Sequence, residues 1–407
     1  MLKKIIIAKL LLFPVSVIYA CTAVIISGDH TSDGRPLMWK HRDTKYFNDK
    51  LVYFDEGKYS AVGLVDSEDA KFGEIWIGFN SAGFAIMNTM SYNIDGNGAQ
   101  NAYFMKEALK ECGSVEEFEA FIEKKEPPRN VRSNFGVIDA RGKAAFFEMG
   151  DDKYTRFNVD DKKIAPHGYL IRVNYSIDGN SIDGTGQEGA GFIRYETAEK
   201  KLFRAMTENN LSVSFILEEM MTSLENPVSD ENARKNMKPA DEEDFFYFQD
   251  CINRYTSSSS ILIQGVKEDE SPLLTTMWSK VGFPVSSAVV PVWITPGGDL
   301  PEVVSAPGEE NAEICDYALE LKEKMVPSTK GSRQNYMNAT KAYNADGTGI
   351  VQLLSPLNRE IYERTIQKKK EWETQEPPED EVKELYRWYD KKVRETYKEE
   401  FGLSKEE

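Results

Sequence analysis

Cys21 stands at the junction of two unlike segments, "MLKKIIIAKLLLFPVSVIYA" before it and "CTAVIIS" after it. A basic start, an apolar run and small Ala20 at the end make the first segment a secretory leader, with Ile18 and Ala20 at the −3 and −1 positions of the cut. Once the leader is removed, one residue holds both a thiol and an α-amine. Their ordinary pKa values, near ~8.5 and ~7.7–8.0, place both close to titration at neutral pH. The thiolate can attack a carbonyl while the amine takes the thiol proton and later delivers it to a leaving amine. Downstream, "PLMWKHRDT" supplies Asp43, a carboxylate suited to holding the α-ammonium, and Lys40, a cation that favours thiolate. Neutral amides such as Asn suit the oxyanion that forms during attack. Two other uses of Cys21 compete with this one: lipid attachment and half of a disulfide.

The remaining candidates carry less chemistry. Cys112 in "ECGS" falls at a predicted helix end and Cys315 inside the helical "NAEICDYALELKEK", positions that suit small buried side chains. With Cys251 they are sparse for 407 residues and lack C-x-x-C spacing. The histidines are His30, His41 and His167; a dyad from Cys21 or Cys251 to one of them is the weaker alternative. No metal-ligand spacing is present, so no metal or organic cofactor is expected. A formal charge of −17 repels phosphate backbones and anionic lipid, which argues against a nucleic-acid partner. Beyond the leader no stretch reaches the ~20 apolar residues of a membrane span.

Short alternating runs, "CTAVIIS", "RPLMWKH", "KLVYFDEG", "YSAVGLV" and "EIWIGFNSAGF", are punctuated by Gly, Asp and Asn and predict antiparallel strands. "NAYFMKEALKECGSVEEFEAFIEKK" predicts two helices, the second opened by a capping box from Ser114 and Glu117. Strands resume in "SNFGVIDARGKAAFFEMGDDKYTRFN" and "HGYLIRVNYS". The helices "GFIRYETAEKKLFRAM" and "LSVSFILEEMMTSL" come next, then the strands "SSSSILIQGV", "LLTTMWSKVG" and "SSAVVPVWI". Blocks of strands and helices without regular β-α alternation predict an α+β layered domain. If the "TSDGR" turn joins the first two strands, residues whose numbers sum to about 64 to 66 pair, and Cys21 falls opposite Asp43. Lys40 and Asp43 then point to opposite faces, and a bulge is needed to bring both to Cys21.

The order of "CTAVI", "DGRPLMWKHRD", "GFNSAGFAIMNT", "IRVNYS" and "GFIRYETAEKKL" behind a leader resembles N-terminal-nucleophile hydrolases of the linear-amide type. That group includes choloylglycine hydrolases, penicillin V acylases and penicillin acyltransferase-like autoproteolytic enzymes, with a dipeptidase branch. The resemblance covers about residues 21–293. It implies a four-layer αββα sandwich, Cys21 as nucleophile and Asp43 as the carboxylate near its amine. Lys40 stands where the family places arginine, with Arg42 as the other candidate for that role. Asn88 resembles the first oxyanion residue, with Asn80 close enough to compete; Asn174 resembles the second, and Arg194 the arginine that braces the site. The implied reaction is hydrolysis of a linear amide in a small molecule or peptide, with acyl transfer and dipeptide cleavage as variants.

These readings predict a leader over residues 1–20, a hydrolase domain over 21–355 and a charged helical extension over 356–407 packed on that domain. They place the mature protein in the periplasm or outside the cell. The rival reading is a lipid-anchored binding protein with Cys21 acylated, which alone implies a membrane. Lipidation consumes both groups that the mechanism needs, and "TAVIIS" enters a strand directly rather than offering a polar tether.

Overall fold

The computed structural model describes residues 20–69, 73–179, 191–326, 335–373 and 375–405. The expected leader, apart from Ala20, lies outside them. Two antiparallel sheets form the centre. The first contains β1 (Thr22–Ile26), β2 (Leu37–Asp43), β10 (Tyr169–Arg172), β11 (Ser257–Gln264), β12 (Thr276–Val281) and β13 (Val290–Val292), in the order β10-β1-β2-β11-β12-β13. The second is a meander of β3 (Asp49–Phe54), β4 (Ala61–Asp66), β5 (Ile77–Asn80), β6 (Ala85–Met90), β7 (Ser133–Ile138), β8 (Ala144–Met149) and β9 (Tyr154–Asn158).

Period-two alternation accounts for the layering. On β6 and β8, Ala85, Met87, Ala144 and Phe146 join the core between the sheets, while Ile86, Ala145, Phe147 and Met149 join a second core on the far side. That second core is covered by α1 (Asn101–Glu111) and α2 (Val115–Lys124), whose Phe104 and Phe118 meet Phe135, with Phe118 also against Phe147 and Phe121 against both helix partners. The sheets approach closely at Gly136, where a Cβ would come 3.0 Å from Ile25 Cδ1. Outside the first sheet lie α3 (Phe192–Thr207), α4 (Glu313–Met325), α5 (Ile350–Glu371) and α6 (Glu379–Phe401). The architecture is the expected four-layer αββα sandwich.

Local signals are visible in these elements. Ser114 caps α2, its Oγ accepting from Glu117 N at 3.1 Å, and Glu117 reaches back to Gly113 N at 2.8 Å. "LSVSFILEEMMTSL" differs from the single amphipathic helix predicted for it: a short α-helical turn, Val213–Phe215, passes into a π-helical one, Ile216–Met220. The charged tail begins inside α5, and its aromatics are structural. Tyr386 and Tyr397 hydroxyls donate to Trp293 O and Ser286 O, and Trp372 is buried edge-on against Trp293 at 5.5 Å. We expect Trp372→Ala to lower the unfolding free energy by about 3–5 kcal/mol, read from the denaturant midpoint. No helix of the described residues is long and apolar enough to cross a membrane.

Candidate active site

Antiparallel pairing brings distant residues to one edge of the first sheet. β1 runs between β2 and β10, so its start meets the ends of both, and β11 begins where β2 ends. Cys21 immediately precedes β1, Lys40 and Asp43 lie near the end of β2, Asn174 follows β10, and Ser257 opens β11. The pairs Thr22↔His41 and Ala23↔Lys40 set the register. This corrects the predicted alignment: continued by one residue, the ladder puts Cys21 opposite Arg42 rather than Asp43. The connection between β1 and β2 is not a tight turn but a loop over 27–36 containing the 3₁₀ turn Gly28–His30, so turn geometry does not dictate the pairing. The irregularity lies in β11, between Ser257 and Ser259, rather than in the β1–β2 pairing.

A cavity of about 300 Å³ opens at this edge, lined by Cys21, Lys40, Asp43 and Asn88 together with Arg42, Asp66 and Trp76. A cavity of about 390 Å³ beside Arg35 and Lys369 has no thiol in its wall. The choice between them therefore follows chemistry rather than size. All four cysteines are free thiols. Burial pushes Cys112 up to about 12 and moves Cys251 and Cys315 upward as well, which suits the inert roles expected of them.

Each side chain is held by identifiable partners. Lys40 Nζ donates to Asn88 Oδ1 at 2.8 Å and to Trp76 O at 2.6 Å. Asn88 Nδ2 donates to Ser133 Oγ at 3.0 Å, so the amide's orientation is defined at both ends. Asn80 is elsewhere: its Nδ2 donates to Leu109 O and Cys112 O, and its Oδ1 accepts from Ala82 N and Phe84 N. Location thus separates the two candidates, Asn88 at the cavity and Asn80 in the β5–β6 turn. Asn174 Oδ1 accepts from Cys21 N at 2.9 Å, and its Nδ2 donates to Met90 O. Arg194, in the first turn of α3, donates to Cys21 O at 2.5 Å, Thr22 Oγ1 at 2.8 Å and Asn174 Oδ1 at 3.0 Å. Gly191, the N-cap of that helix, has φ 93°, and a Cβ there would lie 2.2 Å from Arg194 Nη2.

Charges are buried in opposing sets. Arg42 pairs with Asp49 and Asp66 at 2.8 Å each and lies over the Trp76 ring at 4.5 Å. Burial opposes its charge, but the two carboxylates more than offset that and hold its pKa above the ordinary value. It is thereby committed to its own acids, and Lys40 is the cation that contacts Asn88. Burial lowers Lys40 to about 8, against the attraction of Cys21. The cation is present below about pH 8 and lost above it. Cleavage should therefore decline as pH rises through that value, and Lys40→Arg should displace the basic limb of kcat/KM upward by more than about one unit. Burial raises Asp43 to about 6 although Arg254 and Arg194 oppose the shift. No cluster of metal-ligating side chains occurs among the described residues.

The six residues anticipated from sequence, Cys21, Lys40, Asp43, Asn88, Asn174 and Arg194, are thus joined at one edge by contacts or a shared cavity wall. Sequence reasoning missed Ser133, Trp76, Asp66 and Ser257. Ser257 lies in a run of serines that signals only a strand, and the others gain their roles from strands remote in the chain.

Residues 32–279, more than half the chain, match the family model described as acyl-coenzyme A:6-aminopenicillanic acid acyl-transferase. No curated protein sequence matches the chain. Among solved structures, a mutant of conjugated bile acid hydrolase from Clostridium perfringens is 13% identical, with 69% of this chain and 93% of that one covered and a TM-score of 0.38. Penicillin V acylase from Agrobacterium tumefaciens is 14% identical, covering 68% and 86% with a TM-score of 0.36. An N-acylethanolamine-hydrolyzing acid amidase orthologue from Caenorhabditis elegans is 14% identical, covering 62% and 93% with a TM-score of 0.35.

Proposed function

The chain belongs to the acyl-coenzyme A:6-aminopenicillanic acid acyl-transferase family, within the enzymes that act on linear amides, and from that premise we propose an exported cysteine amidase matured at the Ala20–Cys21 bond. The observation that carries this reading is the convergence of Lys40, Asn88, Asn174 and Arg194 on Cys21 at the edge of one cavity. While Ala20 is attached, the nitrogen of Cys21 is an amide whose single N–H goes to Asn174. Removing Ala20 turns it into an amine that can carry a proton.

The sulfur of Cys21 attacks the substrate carbonyl, and the thiol proton passes to the α-amine. The oxyanion is stabilised by amide N–H groups of Asn88 and Asn174. Collapse breaks the C–N bond, the α-ammonium protonates the leaving amine, and a thioester remains on Cys21. Water then attacks the thioester, giving one proton to the amine, which passes it to the departing sulfur; the acid leaves and loses its remaining proton to solvent. An amine in place of water makes the same intermediate an acyl donor. Asp43 holds the ammonium, and Lys40 and Arg194 keep the two amides oriented.

Burial supports this reading over lipid anchoring: Cys21 is 8% exposed, Ala20 is buried, and β1 begins at the next residue without a tether. Substrates proposed are small N-acyl amines: acyl amino acids, penicillins, bile-salt conjugates and dipeptides. Amine release from such a panel tests the function directly. Release from at least one class is expected; none from any class by matured protein would overturn it.

A further inference from the structure

Behind the nucleophile lies a buried polar group that the reaction above does not use. His41 Nε2 is 2.8 Å from Ser257 Oγ, and Ser257 Oγ donates to Asp43 Oδ1 at 2.7 Å. Arg254 N also donates to Ser257 Oγ, at 3.0 Å. All three side chains are buried. His41 Nδ1 and Asp43 Oδ2 have no hydrogen-bond partner among the described residues.

A hydroxyl has one proton and two lone pairs, and here all three are committed. An ionised Asp43 only accepts, so the Ser257 proton points at Oδ1. The two lone pairs then receive Arg254 N–H and His41 Nε2–H. His41 is therefore the neutral Nε2–H tautomer with a bare Nδ1, which agrees with the unpartnered Nδ1. Burial also drives its pKa down to about 3, with Arg194 and Arg254 adding to that. Were Asp43 to carry a proton on Oδ1, the serine would have to turn toward His41. The imidazole would then need its proton on Nδ1, where no acceptor waits.

We propose that Ser257, backed by His41, is a positioning residue that keeps Asp43 ionised and turns its unpartnered Oδ2 to the ammonium of mature Cys21. This inference rests on the amidase reading and names a component of its proton-handling site. The groups facing Asp43 are His41 on its own strand, Ser257 at the start of β11, Arg254 in the segment before that strand, Arg194 on α3 and Lys322 on α4. The cations favour the carboxylate, burial disfavours it, and the serine is the neutral donor that touches it. In the uncleaved chain Oδ2 is a buried acceptor without a donor, an arrangement that costs free energy. Release of Ala20 creates additional N–H groups on Cys21, which lines the same cavity as Asp43.

Ser257→Ala removes the one neutral donor to the Asp43 carboxylate among the described residues, and the acid limb of kcat/KM should rise by about one pH unit. Ser257→Thr keeps the hydroxyl and should restore the limb. A second readout needs no substrate: the low-pH inflection in the rate at which iodoacetamide alkylates Cys21 should move by the same amount. If the alanine variant does not fold, Ser257→Cys keeps the volume with a weak donor and should give a smaller shift in the same direction. A folded variant with both inflections unmoved overturns the proposal. If the parent cleaves no amide, the amidase reading falls, while the alkylation inflection still decides the role of Ser257.

Discussion

Cys21→Ala should lower amide cleavage by about 10⁴-fold or more, with folding intact. The effect is large because the substitution deletes the atom that forms the acyl intermediate, leaving only binding and the oxyanion donors to act on bound substrate. Folding should survive because the side chain occupies a cavity edge rather than the packed space between the sheets. Cys112→Ser is the comparison. That residue is the C-cap of α1 through its backbone N–H, and its thiol is buried and held well above thiolate chemistry, so kcat should change less than about twofold even if stability falls. Initial rates on a responsive N-acyl substrate, with circular dichroism of each variant, separate the outcomes. Equal losses in both would assign Cys21 a packing role.

Asn88→Ala should reduce kcat by about 10²–10³-fold with a much smaller change in KM. Asn88 lies between Lys40 and Ser133, which leaves its second amide hydrogen for the charge that develops on the carbonyl oxygen. An interaction made mainly in the transition state lowers kcat and kcat/KM together, which distinguishes it from simple substrate binding. The substitution also strips Lys40 of one acceptor, so the basic limb should move as well. Asn80→Ala should behave differently. That side chain joins the β5–β6 turn to α1, and its loss should appear as a lower denaturant midpoint with kcat nearly unchanged.

The comparison of Asn80 with Asn88 also marks what a single sequence reveals. Both are asparagines near the ends of apolar runs, and only the partners tell them apart: Lys40 and Ser133 for one, Leu109 and Cys112 for the other. Strand alternation in the segments after Cys21 and the capping box of α2 are local physics, so they were legible. The pairing Ala23↔Arg172, which delivers Asn174 to Cys21, depends on chain segments far apart and leaves no local trace. The β1–β2 register failed by at least one residue because the 3₁₀ turn lengthens a connection that composition suggested was tight. The role of Ser257 was hidden for a third reason. Four serines in a row look alike until the irregular start of β11 singles out the one facing Asp43.

Catalysis by the Cys21 thiol and amine together requires that the active species begin with Cys21 and bear a free α-amine. Intact mass and N-terminal sequencing of the amide-cleaving fraction measure that directly. An unmodified chain starting at Cys21 is expected, with activity in proportion to the fraction so processed. Full activity in protein that retains Ala20, or whose Cys21 nitrogen is acylated, would contradict it.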